Sequence, residues 1–239
     1  DSINLWRFTS FIMIRYTLLF LFIFNICYAI EFIGDFKQGS FILGKTSPQS
    51  KVLIDNRKVR VSKNGYFAFG LDRDRKNNVV IKIINEKETK LIEKKVFKRK
   101  YKIQRIDGLP PKQVTPPPEV YERIKKDNIL IGKARATDSK LVFFKDKFIY
   151  PIDKYIITGV YGSQRILNGK PRRPHYGIDF HAPEGTPVKS MMDGVVTLVE
   201  NDMYFTGGTI IFDHGHGIST LYMHMKDINV KKGQKVKKG

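Results

Sequence analysis

Cysteine is almost absent from this 239-residue chain: Cys27 is the only one. An internal disulfide framework is therefore excluded, and no thiol is left for a zinc finger or a cysteine nucleophile in the body of the chain. Long apolar runs are scarce too. The most apolar stretch, within MIRYTLLFLFIFNICYA from Met13 to Ala29, falls short of the roughly 20 residues that a membrane-spanning helix needs. Acidic residues are few, 23 against 43 Lys and Arg, which leaves a net charge of +20. That charge favours anionic partners such as nucleic acid, acidic lipid head groups or an anionic cell-wall polymer. The lysines are spread through nearly every segment, however, and no arginine-rich helix with interleaved aromatics or RNA-binding signature is present, so no nucleic-acid partner is expected. A Gly-x-Ser-x-Gly nucleophile elbow is also missing. Histidine is absent from the first 174 residues: His175, His181, His214, His216 and His224 all fall in the last stretch.

The sequence is nonetheless that of a folded protein. Apolar residues make up 41%, and the length suffices for one large or two small domains with real cores. Met13–Ala29 reads as a signal peptide, with basic Arg15, an apolar core, and Cys27-Tyr28-Ala29 placing small residues one and three positions before a cut after Ala29. Residues 1–29 are thus expected to be upstream residues plus an export signal, and the chain to reach the periplasm or cell envelope. Retention of the segment as an anchor would give the only membrane contact. Cleavage would also remove Cys27, leaving packing and metal to hold the exported chain.

Residues 30–106 show short alternating runs separated by turns: SFILG, KVLID, RKVRVS, YFAFG, NVVIKII and KLIEKKVFKRKYKIQRI. Asn64-Gly65 ahead of YFAFG signals a hairpin, and the spacing fits an immunoglobulin-like β-sandwich. Residues 107–147 open with DGLPPKQVTPPP, an extended proline-rich linker. A helix is then expected from Pro118-Glu119 to about Phe144, with Val120, Ile124, Leu130, Ile131 and Ala134 packing on the C-terminal domain. Residues 148–239 are rich in glycine and β-formers and read as an antiparallel sheet or barrel-like domain. The protein is expected to be mainly β.

The chemistry concentrates in PRRPHYGIDFHAPEGTPV, Pro171–Val188. Prolines and Gly177 make it a poor helix, so His175 and Asp179 sit on a strand-like segment where even spacings share a face. Two readings are open: polar residues alternating on one strand face, or two ligands of a metal. Four residues of straight strand span about 13 Å, near the limit that an imidazole and a carboxylate bridge through bonds of about 2 Å. A bend at Gly177 would relieve this.

The residues from about Tyr150 to Gly239 resemble the lysostaphin-like (LytM-type) zinc metallopeptidases, which cut peptide bonds in bacterial cell walls. The likeness rests on GVYGSQR, the H-x-x-x-D of HYGIDF, APEGTPV, DGVV, DHGHG, LYMH and VKKGQKVKKG, in that order and spacing. It implies one zinc ion held by His175 and Asp179, with His224 as a catalytic residue acting as general base or orienting water. The family's third ligand is the second histidine of an H-x-H motif, so the chain is expected to be C-terminally incomplete, with that ligand beyond Gly239. His214-Gly215-His216 has the letters but stands two strands too early, and turn packing is its expected role. Arg165 and His181 are candidates for a substrate groove, as are Arg172 and Arg173, whose alternative is a solvated loop.

The implied activity is a zinc endopeptidase that hydrolyses peptide cross-links of peptidoglycan, with an envelope activator or amidase as a further partner. One rival is an inactive relative that binds cell wall or activates another hydrolase. Another is a biotinyl or lipoyl carrier, since GTPVKSMMDGVVTLVEN and VKKGQKVKKG resemble the flanks of that barrel. A carrier needs a lysine where His224 stands between Met223 and Met225.

Overall fold

A computed structural model of the chain describes residues 29–110 and 115–239. Apart from Ala29, the expected signal segment lies outside the described residues, as do residues 111–114 of the linker. The first seven strands are β1 (Glu31–Ile33), β2 (Phe41–Lys45), β3 (Lys51–Ile54), β4 (Arg57–Val59), β5 (Tyr66–Gly70), β6 (Val79–Ile84) and β7 (Thr89–Lys94). They form two sheets, ordered β1-β2-β5 and β4-β3-β6-β7. Along β6 the side chains alternate in and out, as period-two patterning requires: Val79, Ile81 and Ile83 are buried while Val80 faces solvent. Ile42, Phe67 and Phe69 from one sheet meet Val52, Ile54 and the three β6 residues from the other in one core. Each such side chain contributes about 1.5–3 kcal/mol by leaving water.

The turn chemistry differs from the expectation in one place. Asn64-Gly65 does not close a hairpin, because β5 crosses to the other sheet and pairs with β2, Tyr66 opposite Lys45. The tight hairpin is Asp55-Asn56 instead, where both residues have positive φ and Ile54 faces Arg57. Asp and Asn tolerate that left-handed backbone better than other side chains. Gly65 answers a packing need: a side chain there would collide with the carbonyl of Thr46, whose N–H donates to Gly65 O at 3.0 Å.

Beyond the sandwich come β8 (Ile103–Ile106) and, after the linker, a 3-10 turn at Pro118–Val120 that leads into α1 (Tyr121–Arg135). α1 ends at Arg135 rather than near Phe144. Thr137, Asp138 and Ser139 come next, residues whose side chains compete with helical hydrogen bonding, and Asp138 is drawn off by Arg60, which donates to it at 2.6 and 3.2 Å. Phe143–Lys145 is a separate 3-10 turn.

The remaining strands are β9 (Ile156–Gly159), β10 (Gln164–Leu167), β11 (Lys170–Pro171), β12 (Asp179–His181), β13 (Gly194–Met203), β14 (Gly207–Gly215), β15 (Ile218–Met225) and β16 (Lys235–Val236). β13 to β16 form an antiparallel sheet ordered β15-β14-β13-β16, and β9 and β12 form a ribbon of their own. β8, although contiguous in sequence with the sandwich, pairs in parallel with β10, which carries β11 on its other edge. A register shift between Val196 and Leu198 places these two in different cores, as a bulge does by displacing one residue. Leu198, Met203 and Ile211 pack with Ala134 and Ile131 of α1, whereas Val196 joins Ile210, Phe212 and Tyr222. A fourth cluster joins the two halves, with Leu43 and Ala68 of the sandwich against Phe144 and Met192. Among the described residues no helix is long and apolar enough to cross a membrane.

Candidate metal centre

His175 and Asp179 meet. Residues 172–178 contain no strand, and the chain bends at Gly177 before Asp179 enters β12 opposite Gly159 of β9. The bend brings His175 Nε2 to 3.0 Å from Asp179 Oδ1. One turn holds the histidine on three sides. Its N–H donates to Ser163 O and its carbonyl accepts from Gly162 N–H, both at 2.7 Å, and its Nδ1 lies 3.3 Å from Val160 O. A proton on Nδ1, donated to that carbonyl, fixes the tautomer that leaves Nε2 as an acceptor.

Nε2 and a carboxylate oxygen at this separation repel unless a proton or a cation lies between them. Two ligands of a tetrahedral zinc, with bonds of about 2.0–2.1 Å, stand about 3.3 Å apart. The donor types, the spacing and the backbone carbonyl behind Nδ1 therefore fit two ligands of a zinc site. Gly159 makes room for the arrangement: a side chain there would run into the Asp179 carboxylate, with Cγ only 2.7 Å away. Sequence reading passed over Gly159 and the Val160–Ser163 turn, although both lie within GVYGSQR.

The other candidates are placed separately. His181 is exposed and pairs with Ile156 two positions along β12. His224, near the end of β15, is exposed, has φ of 59°, and donates its N–H to Thr206 O at 2.8 Å. Among the described residues no three or more His, Cys, Asp or Glu side chains gather into a group able to hold a metal. The structure thus joins His175 with Asp179 and adds neither His181 nor His224 to them as a third ligand. Arg165 is exposed on β10, its carbonyl accepting from Arg172 N–H at 2.9 Å. Arg172 is no freely solvated loop residue, for its Nε and Nη2 are buried without a hydrogen-bond partner among the described residues. Tyr176, beside His175, and Tyr161 line a cleft of about 530 Å³ whose other wall is Gly70–Asp74 of the sandwich.

His214 and His216 occupy a different environment. Gly215 pairs with Ile218, so His216-Gly217 is a two-residue hairpin turn with both φ values positive. His214 is fully buried, with Nδ1 2.6 Å from Asp193 O and Nε2 2.8 Å from Thr220 Oγ1. Burial pushes its pKa below the ordinary histidine value, with the Asp193 carbonyl opposing the shift. His216 packs against Phe144, ring centroids 4.9 Å apart and tilted by 48°, and its pKa is likewise lowered, first by burial and then by Arg60. Both ring nitrogens of His214 are engaged by protein atoms, which leaves none for a metal.

Set beside known proteins, residues 173–239 match Peptidase family M23. The C-terminal segment is thus similar to an M23 (LytM-type) domain. It contains His175, Asp179 and His224. Similar curated proteins include peptidoglycan DD-endopeptidase ShyA of Vibrio cholerae, 41% identical over 92 residues that make up 38% of this chain and 21% of that protein. Cell division protein DipM of Caulobacter vibrioides is 32% identical over 129 residues, 53% of this chain and 19% of that protein. The chain spans about a fifth of the length of these relatives. A crystal structure named for peptidase M23 from Pseudomonas aeruginosa matches with a TM-score of 0.62 at 20% identity, over 86% of this chain and 80% of that one. That likeness shows a shared fold.

Proposed function

We propose that the chain carries a zinc-dependent endopeptidase that hydrolyses peptide cross-links of bacterial peptidoglycan after export to the periplasm or cell envelope. The observation that carries this reading is the His175–Asp179 pair, 3.0 Å apart, inside the segment matched by the M23 family. The name of ShyA, a peptidoglycan DD-endopeptidase, supports the substrate class, and the Met13–Ala29 pattern supports export.

In this reading His175 Nε2 and Asp179 Oδ1 hold the ion, while Val160 O keeps the imidazole in the tautomer that offers Nε2. When bound, zinc supplies Lewis-acid polarisation of a peptide carbonyl and lowers the pKa of water toward 7. His224 takes a proton from the attacking water and returns it to the leaving nitrogen. The peptide lies along the cleft between Tyr176 and the Gly70–Asp74 turn. Exclusion of bulk water there strengthens each of these electrostatic contacts. The N-terminal sandwich, whose order β1-β2-β5 over β4-β3-β6-β7 supports an immunoglobulin-like reading, positions the peptidase on its polymer.

The test is incubation of the zinc-loaded protein with purified peptidoglycan. Release of new amino termini, abolished in His175→Ala, is the expected result. Equal release by that variant sinks the metal mechanism, and wall binding without any release points to the non-catalytic regulator.

A further inference from the structure

We propose that Arg73, in the turn between β5 and β6 of the N-terminal sandwich, is a positioning residue for His175 and acts through the Val160–Ser163 turn. The inference takes its functional meaning from the zinc reading. Arg73 is far from the site in sequence, and its segment, LDRDRKNN, has the letters of a solvated polar loop. In the fold it is 8% exposed. Its Nε and Nη2 both donate to the carbonyl of Gly162, at 2.8 and 2.6 Å. The guanidinium lies 4.2 Å over the ring of Tyr101, whose hydroxyl donates back to Arg73 O at 3.0 Å. Asp74 accepts from Nη1 at 2.6 Å.

A buried cation is tolerated only where its donors are satisfied, and here the two that reach Gly162 define one direction. The same Gly162 donates its N–H to His175 O. An unbroken path of hydrogen bonds therefore runs from the sandwich to the candidate ligand: Arg73 fixes the carbonyl of Gly162, and the amide of that residue fixes the backbone of His175. Gly162 has φ of 86°, and a side chain on it would strike the Tyr101 ring. Glycine thus lets the turn press against the Arg73–Tyr101 stack. Shifting the turn also moves Val160 O and Ser163 O, the other two anchors of His175. Lysine cannot reproduce the clamp, because a single ammonium lacks the planar fork that places two donors on one oxygen.

A second tie between the halves serves as the control. Arg60 pairs with Asp138, and the adjoining Ser139 carbonyl accepts from His216 N–H, so that tie leads to the hairpin turn rather than to His175. The experiment compares Arg73→Lys, Arg73→Ala and Arg60→Lys in the full chain by amide hydrogen exchange and by zinc competition against a chelator. In Arg73→Lys we expect the His175 and Gly162 amides to exchange about 10-fold faster. Zinc affinity should fall about 10-fold, the size typical of losing a group that orients a ligand, while the Ile81 and Ile211 amides keep their protection. Arg60→Lys should change none of these. If Arg73→Ala does not fold, Arg73→Lys decides. Unchanged His175 exchange in a folded Arg73→Lys overturns the proposal, and so does an equal effect from Arg60→Lys. If the parent protein takes up no zinc yet the His175 amide still loosens in Arg73→Lys, the zinc reading fails and the positioning role stands.

Discussion

Two histidine neighbourhoods lie in the same β-rich half, and they differ in what their rings touch. The ring of His175 is anchored at one nitrogen by a backbone carbonyl and faces a partly exposed carboxylate with the other. The ring of His214 is buried and has a protein partner on each nitrogen. In letters, His214-Gly215-His216 looks more like a metal motif than H-x-x-x-D does. A ligand, however, needs a free lone pair beside a second donor, and a buried neutral ring spanning two strands has none left. In the proposed reading, the surroundings of each ring separate metal chemistry from packing.

Substitutions should pull the two neighbourhoods apart. The largest effect is expected from His175→Ala: zinc affinity, measured by chelator competition, should fall by about 100-fold or more, since removal of a ligand exceeds the 10–100-fold cost of losing its support. Urea stability of the apo protein should change by less than about 1 kcal/mol, because the ring is only partly buried. His214→Ala should do the reverse. It removes a fully buried ring and strands the Asp193 carbonyl and the Thr220 hydroxyl, so a loss of about 2–4 kcal/mol is expected with zinc affinity unchanged. Gly159→Ala should displace the Asp179 carboxylate and lower zinc affinity about 10-fold, an effect that equilibrium dialysis can read.

The pH response should belong to the hairpin neighbourhood. His214 and His216 both have lowered pKa values in the fold, relative to an ordinary value of 6.5. Above that value neither state binds a proton there, and stability is at its full level. As pH falls below it the unfolded chain takes up protons that the folded chain refuses, so stability is lost toward the lowered folded values. Urea midpoints should therefore drop between pH 7 and pH 5, and His214→Gln should flatten the slope. Smallest of all, Arg165→Ala and His181→Ala should each alter stability by less than about 0.5 kcal/mol, both being exposed.

Much of the fold could be read from local pattern. Alternation marked β2, β3, β5 and β6, and Pro118-Glu119 marked the start of α1, because these signals depend only on neighbouring residues. What escaped depended on distant partners. β5 pairs with β2 rather than with its neighbour β4, β8 joins β10 across the linker, and Asp138 leaves the helical path to meet Arg60. At the site, the offset of four residues with Gly177 between them made the approach of His175 and Asp179 a question of a single bend. The contribution of Arg73 and the clearance above Gly159 had no such signal. Both arise from long-range contacts, and Arg73 sits in a segment with the composition of an ordinary loop.

The measurement that bears most directly on the account is bound zinc per molecule in the purified protein, compared with His175→Ala and His214→Ala at equal concentration. Zinc retained by the parent and by His214→Ala but lost from His175→Ala is the predicted result. Zinc retained in His175→Ala and lost from His214→Ala would contradict it, and would place the metal in the hairpin turn.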